Sequence, residues 1–144
     1  MKLLTVKELQ AKIAAAEGAK ASAALKAMHA EEEEKRALLE RLSKPSGLSD
    51  DEVMEKASII INRAVENGQM SVQVFRFPHS LCSDNGRAIN QAEAGWEATL
   101  TGIPKEIYDF WKRQLQPRGY HIRYETLNYP GGMPGDVGIF LSWG

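Results

Sequence analysis

The first 44 residues of the chain contain no aromatic side chain and no proline. The four Phe, three Trp and four Tyr all lie at or after Phe75, and the six Pro all lie at or after Pro45. Aromatic side chains supply much of the buried area in a small core. We therefore predict two parts: residues 1–44 as a long, charged, Ala-rich helical arm, and residues 45–144 as a compact α+β domain.

Cysteine and long apolar runs are also scarce. Cys82 is the only cysteine and cannot form an internal disulfide, as is usual in a reducing compartment. The longest β-branched run is Ile59 to Ile61, far short of the roughly 18 apolar residues of a membrane span. The N-terminus has no continuous apolar stretch typical of a secretory leader. We expect a soluble cytoplasmic protein without a membrane partner.

The charge is nearly balanced. The formal net charge is -1, from 9 basic and 7 acidic residues (+2) in residues 1–44 and 9 basic and 12 acidic residues (-3) in residues 45–144. Neither part has the strong positive charge typical of a protein that binds polyanions.

The arm begins with a helix-capping signal. Thr5 and Glu8 form a capping box, and Leu4 and Leu9 form a hydrophobic staple around it. From there to Ser43 only Gly18 lowers the helix propensity, and eleven alanines raise it. The sequence predicts one helix that ends near Ser43.

Large apolar residues of the arm follow two heptad frames, which specify a continuous two-stranded coiled coil only weakly. An aromatic-free helix of this length buries little by itself, so its apolar positions are available for association. We expect the arm to contact a second copy of the chain or a helix of another protein, and dimerisation is the simplest outcome. The candidate contact residues are Val6, Leu9 and Ile13 in the first frame and Leu25, Met28, Leu39 and Leu42 in the second.

The domain is predicted to contain helices and a mainly antiparallel sheet of three or four strands. Two longer helices, residues 50–67 and 104–116, are expected to pack on one face of that sheet. Alternating patterns predict strands, and Asn128 to Asp136 is a hairpin loop. A short helix is expected over residues 85–94, whereas residues 96–101 fit a strand or a helix, with a strand favoured. The other predicted strands are residues 70–77, 120–127 and 137–143.

The densest group of reactive side chains lies between the first strand and the short helix. Such a position often binds ligands, and a helix start there could lower the pKa of a thiol or hold an anion. The alternative is structural: Asp84 or Asn85 caps the helix and Cys82 fills space in the core. The candidate residues are His79, Ser80, Cys82, Ser83, Asp84 and Arg87.

Two further segments have weaker functional interpretations. Tyr129 to Asp136 is rich in Gly and Pro and forms a turn or a mobile binding loop, in which Met133 and Asp136 are candidates. Basic residues at positions 112–123 alternate with Trp111, Tyr120 and Tyr124 and could bind single-stranded nucleic acid. We expect these rings to point inward, so nucleic-acid binding is disfavoured. No motif indicates a metal site or a cofactor.

The favoured hypothesis is a non-enzymatic interaction or oligomerisation module, in which the arm associates and the domain binds a partner or small ligand. The alternative is a small enzyme or anion-binding protein that uses the Cys82 to Arg87 loop for thiol chemistry or hydrolysis.

Overall fold

The structure is a computed structural model that describes residues 5–144, so the predicted staple residue Leu4 lies outside it. The chain comprises two compact units, the first ending at Leu38 and the second spanning Leu39–Gly144. The boundary in packing precedes Pro45 because the last turn of the first helix belongs to the second unit.

Helix α1 spans Val6–Ser43 without interruption, as the sequence predicts. Its capping box is formed: the Glu8 backbone N–H donates to Thr5 Oγ1, and the Thr5 N–H donates to Glu8 Oε2, each at 3.2 Å. Gly18 does not break the helix. No residue of α1 is buried.

Helix α2 spans Asp50–Glu66 and is capped by Ser49. Ser49 Oγ accepts a hydrogen bond from the Glu52 backbone N–H at 3.2 Å. The core-facing side of α2 buries Ile61 and Ala64.

Three antiparallel strands form the sheet. Strands β1 (Ser71–Pro78), β2 (His121–Thr126) and β3 (Asp136–Ser142) lie in the order β1-β3-β2. The β2 and β3 strands form the predicted hairpin, in which Thr126 is opposite Val137. The fold is therefore α+β, with a long N-terminal helix followed by helices packed against a three-stranded sheet.

Strand β1 contains a β-bulge at Val74. Its register with β3 shifts between Gln73 and Phe75. Because of the bulge, the consecutive residues Val74 and Phe75 are both half-buried, although neighbouring residues of a regular strand face opposite sides. Phe77 is buried. The bulge explains why the apolar alternation that starts at Val72 changes phase after Val74.

The segment between β1 and α4 differs from prediction. Helix α3 is only one turn, Arg87–Asn90, and the strand favoured for residues 96–101 is wrong, because Trp96–Thr99 is a 3₁₀ turn. Gly95 precedes it with φ of 83°, a left-handed conformation that does not continue into a strand. The Trp96 ring centroid lies 4.9 Å from that of Tyr124 and 5.7 Å from that of Tyr108. Packing against these rings replaces strand pairing.

Helix α4 begins earlier than predicted, at Gly102, and continues to Phe110. Pro104 is the third residue of α4 and not the first. Proline has no backbone N–H, but no intrahelical hydrogen bond is lost at this position, because the N–H groups of the first turn have no acceptor within the helix. A π-helical turn, Trp111–Leu115, extends the helix. Phe110, Trp111 and Leu115 are buried.

Two neighbouring core clusters hold the second unit together. One contains Phe77, Cys82 and Ile139, and Leu39 and Leu42 of α1 pack against it. The other contains Ile61, Phe110, Trp111, Leu115 and Leu141. In the part of the chain from residue 5 onward, no helix combines the length and apolar character needed to cross a membrane.

Candidate functional site

The Cys82 side chain lies in the first core cluster and is 2% exposed. Burial raises the pKa of the thiol to about 11; a hydrogen bond to Thr99 opposes this shift, and the negative charge of Asp84 adds to it. A nucleophilic cysteine needs the opposite, an accessible thiol with a lowered pKa. At neutral pH the Cys82 thiol is protonated.

The other members of the Cys82 loop have local partners. Asp84 accepts hydrogen bonds from the backbone N–H groups of Gly86 (3.0 Å) and Ala88 (2.8 Å), so its carboxylate caps α3. The Arg87 guanidinium lies 3.7 Å from the Glu93 carboxylate. Ser80 and Ser83 are exposed, and His79 is half-buried beside Gly86. Asp84 therefore caps α3, and Cys82 lies in the core whereas Arg87 is exposed.

The glycine-rich loop is organised by Asn128. Its side-chain oxygen accepts the Asp136 N–H at 2.7 Å, and its backbone oxygen accepts the Gly135 N–H at 2.9 Å. The Asp136 carboxylate forms an ion pair with Arg76 at 2.7 Å. Met133 is 69% exposed. Of the two candidates in this loop, only Met133 presents its side chain fully to solvent.

Two of the three rings in the basic aromatic stretch point inward, as predicted, and the third, Tyr120, is half-buried against Trp143. Trp111 and Tyr124 are buried, and the Tyr124 hydroxyl donates to the Pro104 carbonyl at 2.6 Å. Arg123 lies on the opposite face of the sheet, with its guanidinium carbon 4.6 Å from the Phe140 ring centroid. The basic groups and these two buried rings do not form a common stacking surface.

The arm candidates divide into two groups. Leu39 and Leu42 are half-buried against the core of the second unit and are already covered. The remaining five are exposed over about half or more of their surface: Val6 by 70%, Leu9 by 43%, Ile13 by 60%, Leu25 by 55% and Met28 by 58%. We refer to Val6, Leu9 and Ile13 as the N-terminal stripe.

An apolar cleft between α2 and α4 was not identified from the sequence. Its volume is about 310 Å³, which lies at the lower end of the range for small-molecule sites, about 300 to 1,000 Å³. The walls come from Val53, Ala57 and Ile60 of α2 and from Ile103 and Ile107 of α4, with Phe75 contributed by the sheet.

Hydrogen bonds already satisfy most polar groups around the cleft. Arg113 Nη2 donates to Asp50 Oδ1 at 2.9 Å, and Ser46 Oγ donates to Glu106 Oε1 at 2.8 Å. The hydrogen bond from Arg113 lowers the pKa of Asp50, so the pair remains ionised at neutral pH. Trp111 Nε1 donates to the Tyr120 carbonyl at 3.0 Å. The cleft therefore offers mainly carbon surfaces.

The signal for this cleft was the small residue Ala57 on the apolar stripe of α2. The helical spacing of Val53, Ala57, Ile60, Ile61 and Ala64 predicts a core-facing stripe, but that spacing does not show that α2 and α4 leave a gap at Ala57. Across residues 5–144, no group of three or more His, Cys, Asp or Glu side chains is arranged to hold a metal ion. Comparison of the chain with protein-family models, curated proteins and solved structures finds no match.

Proposed function

We propose that the protein is a non-enzymatic oligomerisation module, in which the N-terminal stripe of one copy packs against the same stripe of a second copy. The observation that carries this proposal is the exposure of Val6, Leu9 and Ile13, at 70%, 43% and 60%, on a helix with no buried residue. These side chains lie on one side of the helix, spaced three and four residues apart. Helix pairing is the simplest way to remove such a stripe from water.

Charge permits two stripes to meet. Residues 5–20 contain three Lys and two Glu, so their net charge is +1 and the repulsion between two copies is small. Ala16 lies beside Leu9 and Ile13 on the same side of the helix, and its small side chain allows close approach of the helices. Two copies related by a twofold axis would bury the same patch twice.

The expected dimer is weak. Complete burial of a Val, Leu or Ile contributes about 1.5 to 3 kcal/mol, so six partly exposed side chains contribute on the order of 8 kcal/mol. With the smallest cost of association, about 4 kcal/mol, about 4 kcal/mol remains, which corresponds to a dissociation constant of about 1 mM. Pairing is therefore expected at high protein concentration, where the equilibrium favours the dimer.

Sedimentation of the full-length chain tests this proposal. We expect the wild type to shift from monomer towards dimer as its concentration rises from about 10 μM to about 2 mM. The double substitution Leu9→Gln with Ile13→Gln should leave a monomer throughout. The matched control, Ala11→Gln with Ala15→Gln, adds the same side chains about 200° around the helix and should still dimerise. A wild-type monomer at every concentration, or equal behaviour of the two variants, would contradict the proposal.

A further inference from the structure

We propose that the cleft between α2 and α4 binds a small, uncharged apolar molecule. Such a molecule would carry a single ring, two fused rings or a short alkyl chain. This site lies within the second unit and does not depend on association of the arm. Its walls combine aliphatic side chains with the buried rings of Phe110 and Trp111. Ring faces and aliphatic groups in a partly open cavity favour an apolar occupant.

The charges at the rim select against an ionic ligand. Asp50 and Glu106 are balanced by Lys56 and Arg113, so the four charged residues around the cleft sum to zero. Asp50 pairs with Arg113, and both oxygens of the Glu106 carboxylate accept hydrogen bonds from Ser46. An ionic head group would lose part of its hydration, and charges at an exposed rim compensate for that loss only weakly.

Lys56 does not alter this conclusion. It forms no ion pair among the residues from Thr5 onward, but it is exposed and its ammonium group remains hydrated. Its alkyl stem can cover apolar surface while the charged end stays in water. The stem adds to the wall, and the charge is not required for recognition.

Two dyes with the same aromatic body provide the test. N-phenyl-naphthylamine is uncharged at neutral pH, whereas anilinonaphthalene sulfonate carries one negative charge. With the full-length chain we expect a saturable rise in fluorescence with the uncharged dye, at one dye per chain, and at least about tenfold weaker binding of the sulfonate. Lys56→Gln should leave the affinity for the uncharged dye unchanged.

Substitutions that fill the cleft locate the binding site. Ala57→Leu should weaken binding of the uncharged dye by at least about tenfold, whereas Ser58→Leu, exposed on the same helix, should change it less than about twofold. Ile103→Trp fills the space from α4, with exposed Lys105→Trp as its control. If Ala57→Leu does not fold, Ile103→Trp and its control Lys105→Trp still show whether filling the cleft weakens dye binding.

Several outcomes would overturn the proposal. One is the absence of saturable binding by the uncharged dye, and another is unchanged binding in both cleft-filling variants. Tighter binding of the sulfonate that is lost in Lys56→Gln would indicate an anionic amphiphile instead. Dye affinity that weakens as the chain associates, but not in Leu9→Gln with Ile13→Gln, would indicate that a second copy covers the cleft. Failure to dimerise leaves this proposal intact, since the dye measurements do not require a dimer.

Discussion

The Cys82 thiol belongs to the same core cluster as Phe77, Leu81 and Ile139, and it is 2% exposed. The sequence placed this residue in a loop among His, Ser, Asp and Arg side chains, which is compatible with either a reactive or a buried thiol. The deciding quantity is burial, which depends on Leu100, Val137 and Ile139 from distant parts of the chain. The sequence near Cys82 does not indicate how deeply its side chain is buried.

Because the pKa of Cys82 is raised from 9.0 to about 11, stability should fall at high pH. The unfolded chain loses the thiol proton first, so the contribution of Cys82 is fully present below pH 9.0 and is lost as the pH rises to about 11. We expect the difference in free energy of unfolding between the wild type and Cys82→Ala to shrink across this interval. Denaturant unfolding at successive pH values measures it; a constant difference would contradict the assigned pKa.

Alkylation gives a second test of the same thiol. A pKa shift from 9.0 to about 11 reduces the thiolate fraction at neutral pH about a hundredfold, and burial slows access further. The folded protein should therefore react on the order of a hundredfold or more slowly than the chain in denaturant. Rapid alkylation of the folded protein would instead support the alternative hypothesis of thiol chemistry at the Cys82 loop.

Among the structural elements, two glycines in helices have opposite roles. Gly18 lies within α1 and a Cβ there would meet nothing within 4 Å. Gly102, at the start of α4, has φ of +59°, and a Cβ there would overlap the Leu42 carbonyl oxygen and lie 2.8 Å from Ser43 Cα. Gly102 thus allows the last turn of α1 and the first turn of α4 to approach closely.

The same substitution at these two glycines should have opposite effects. Gly18→Ala should stabilise the arm helix by about 0.5 to 1 kcal/mol, because alanine loses less backbone entropy. Gly102→Ala should destabilise the second unit by roughly 2 to 4 kcal/mol through the left-handed conformation and the overlap. Far-UV circular dichroism measures the first effect, and tryptophan fluorescence during denaturant unfolding measures the second. Equal shifts of the fluorescence transition in both variants would contradict these roles.

Helices and strands in which apolar residues recur at a regular spacing could be predicted from the sequence. Elements that depend on contacts between distant residues could not. Helix α2 and the β2–β3 hairpin follow from capping residues, alternation and a Gly-Pro turn. The bulge at Val74 and the 3₁₀ turn at Trp96–Thr99 depend on partners elsewhere in the chain. The α2–α4 cleft depends on the spacing of two helices, which a single sequence pattern does not encode. The exposed N-terminal stripe, in contrast, was visible as apolar positions in a segment without aromatics.

At the scale of the whole molecule, the two units can be followed by separate signals. Every Trp, Tyr and Phe lies at or after Phe75, so tryptophan fluorescence and near-UV circular dichroism report only on the second unit. Far-UV circular dichroism is dominated by helix, and α1 is the longest helix at 38 residues. The two kinds of spectra therefore separate arm folding from domain folding within one full-length sample.

We predict two transitions on heating. An isolated helix with no buried face melts broadly and is only marginally stable in water, so the far-UV signal should decrease before tryptophan fluorescence changes. If two arms pair, the far-UV transition should move to higher temperature as protein concentration rises, whereas the fluorescence transition should not. Leu9→Gln with Ile13→Gln should abolish that concentration dependence and leave the fluorescence transition in place. Coincident transitions by both signals would show that arm and domain unfold as one cooperative unit, because independent units have no reason to melt together.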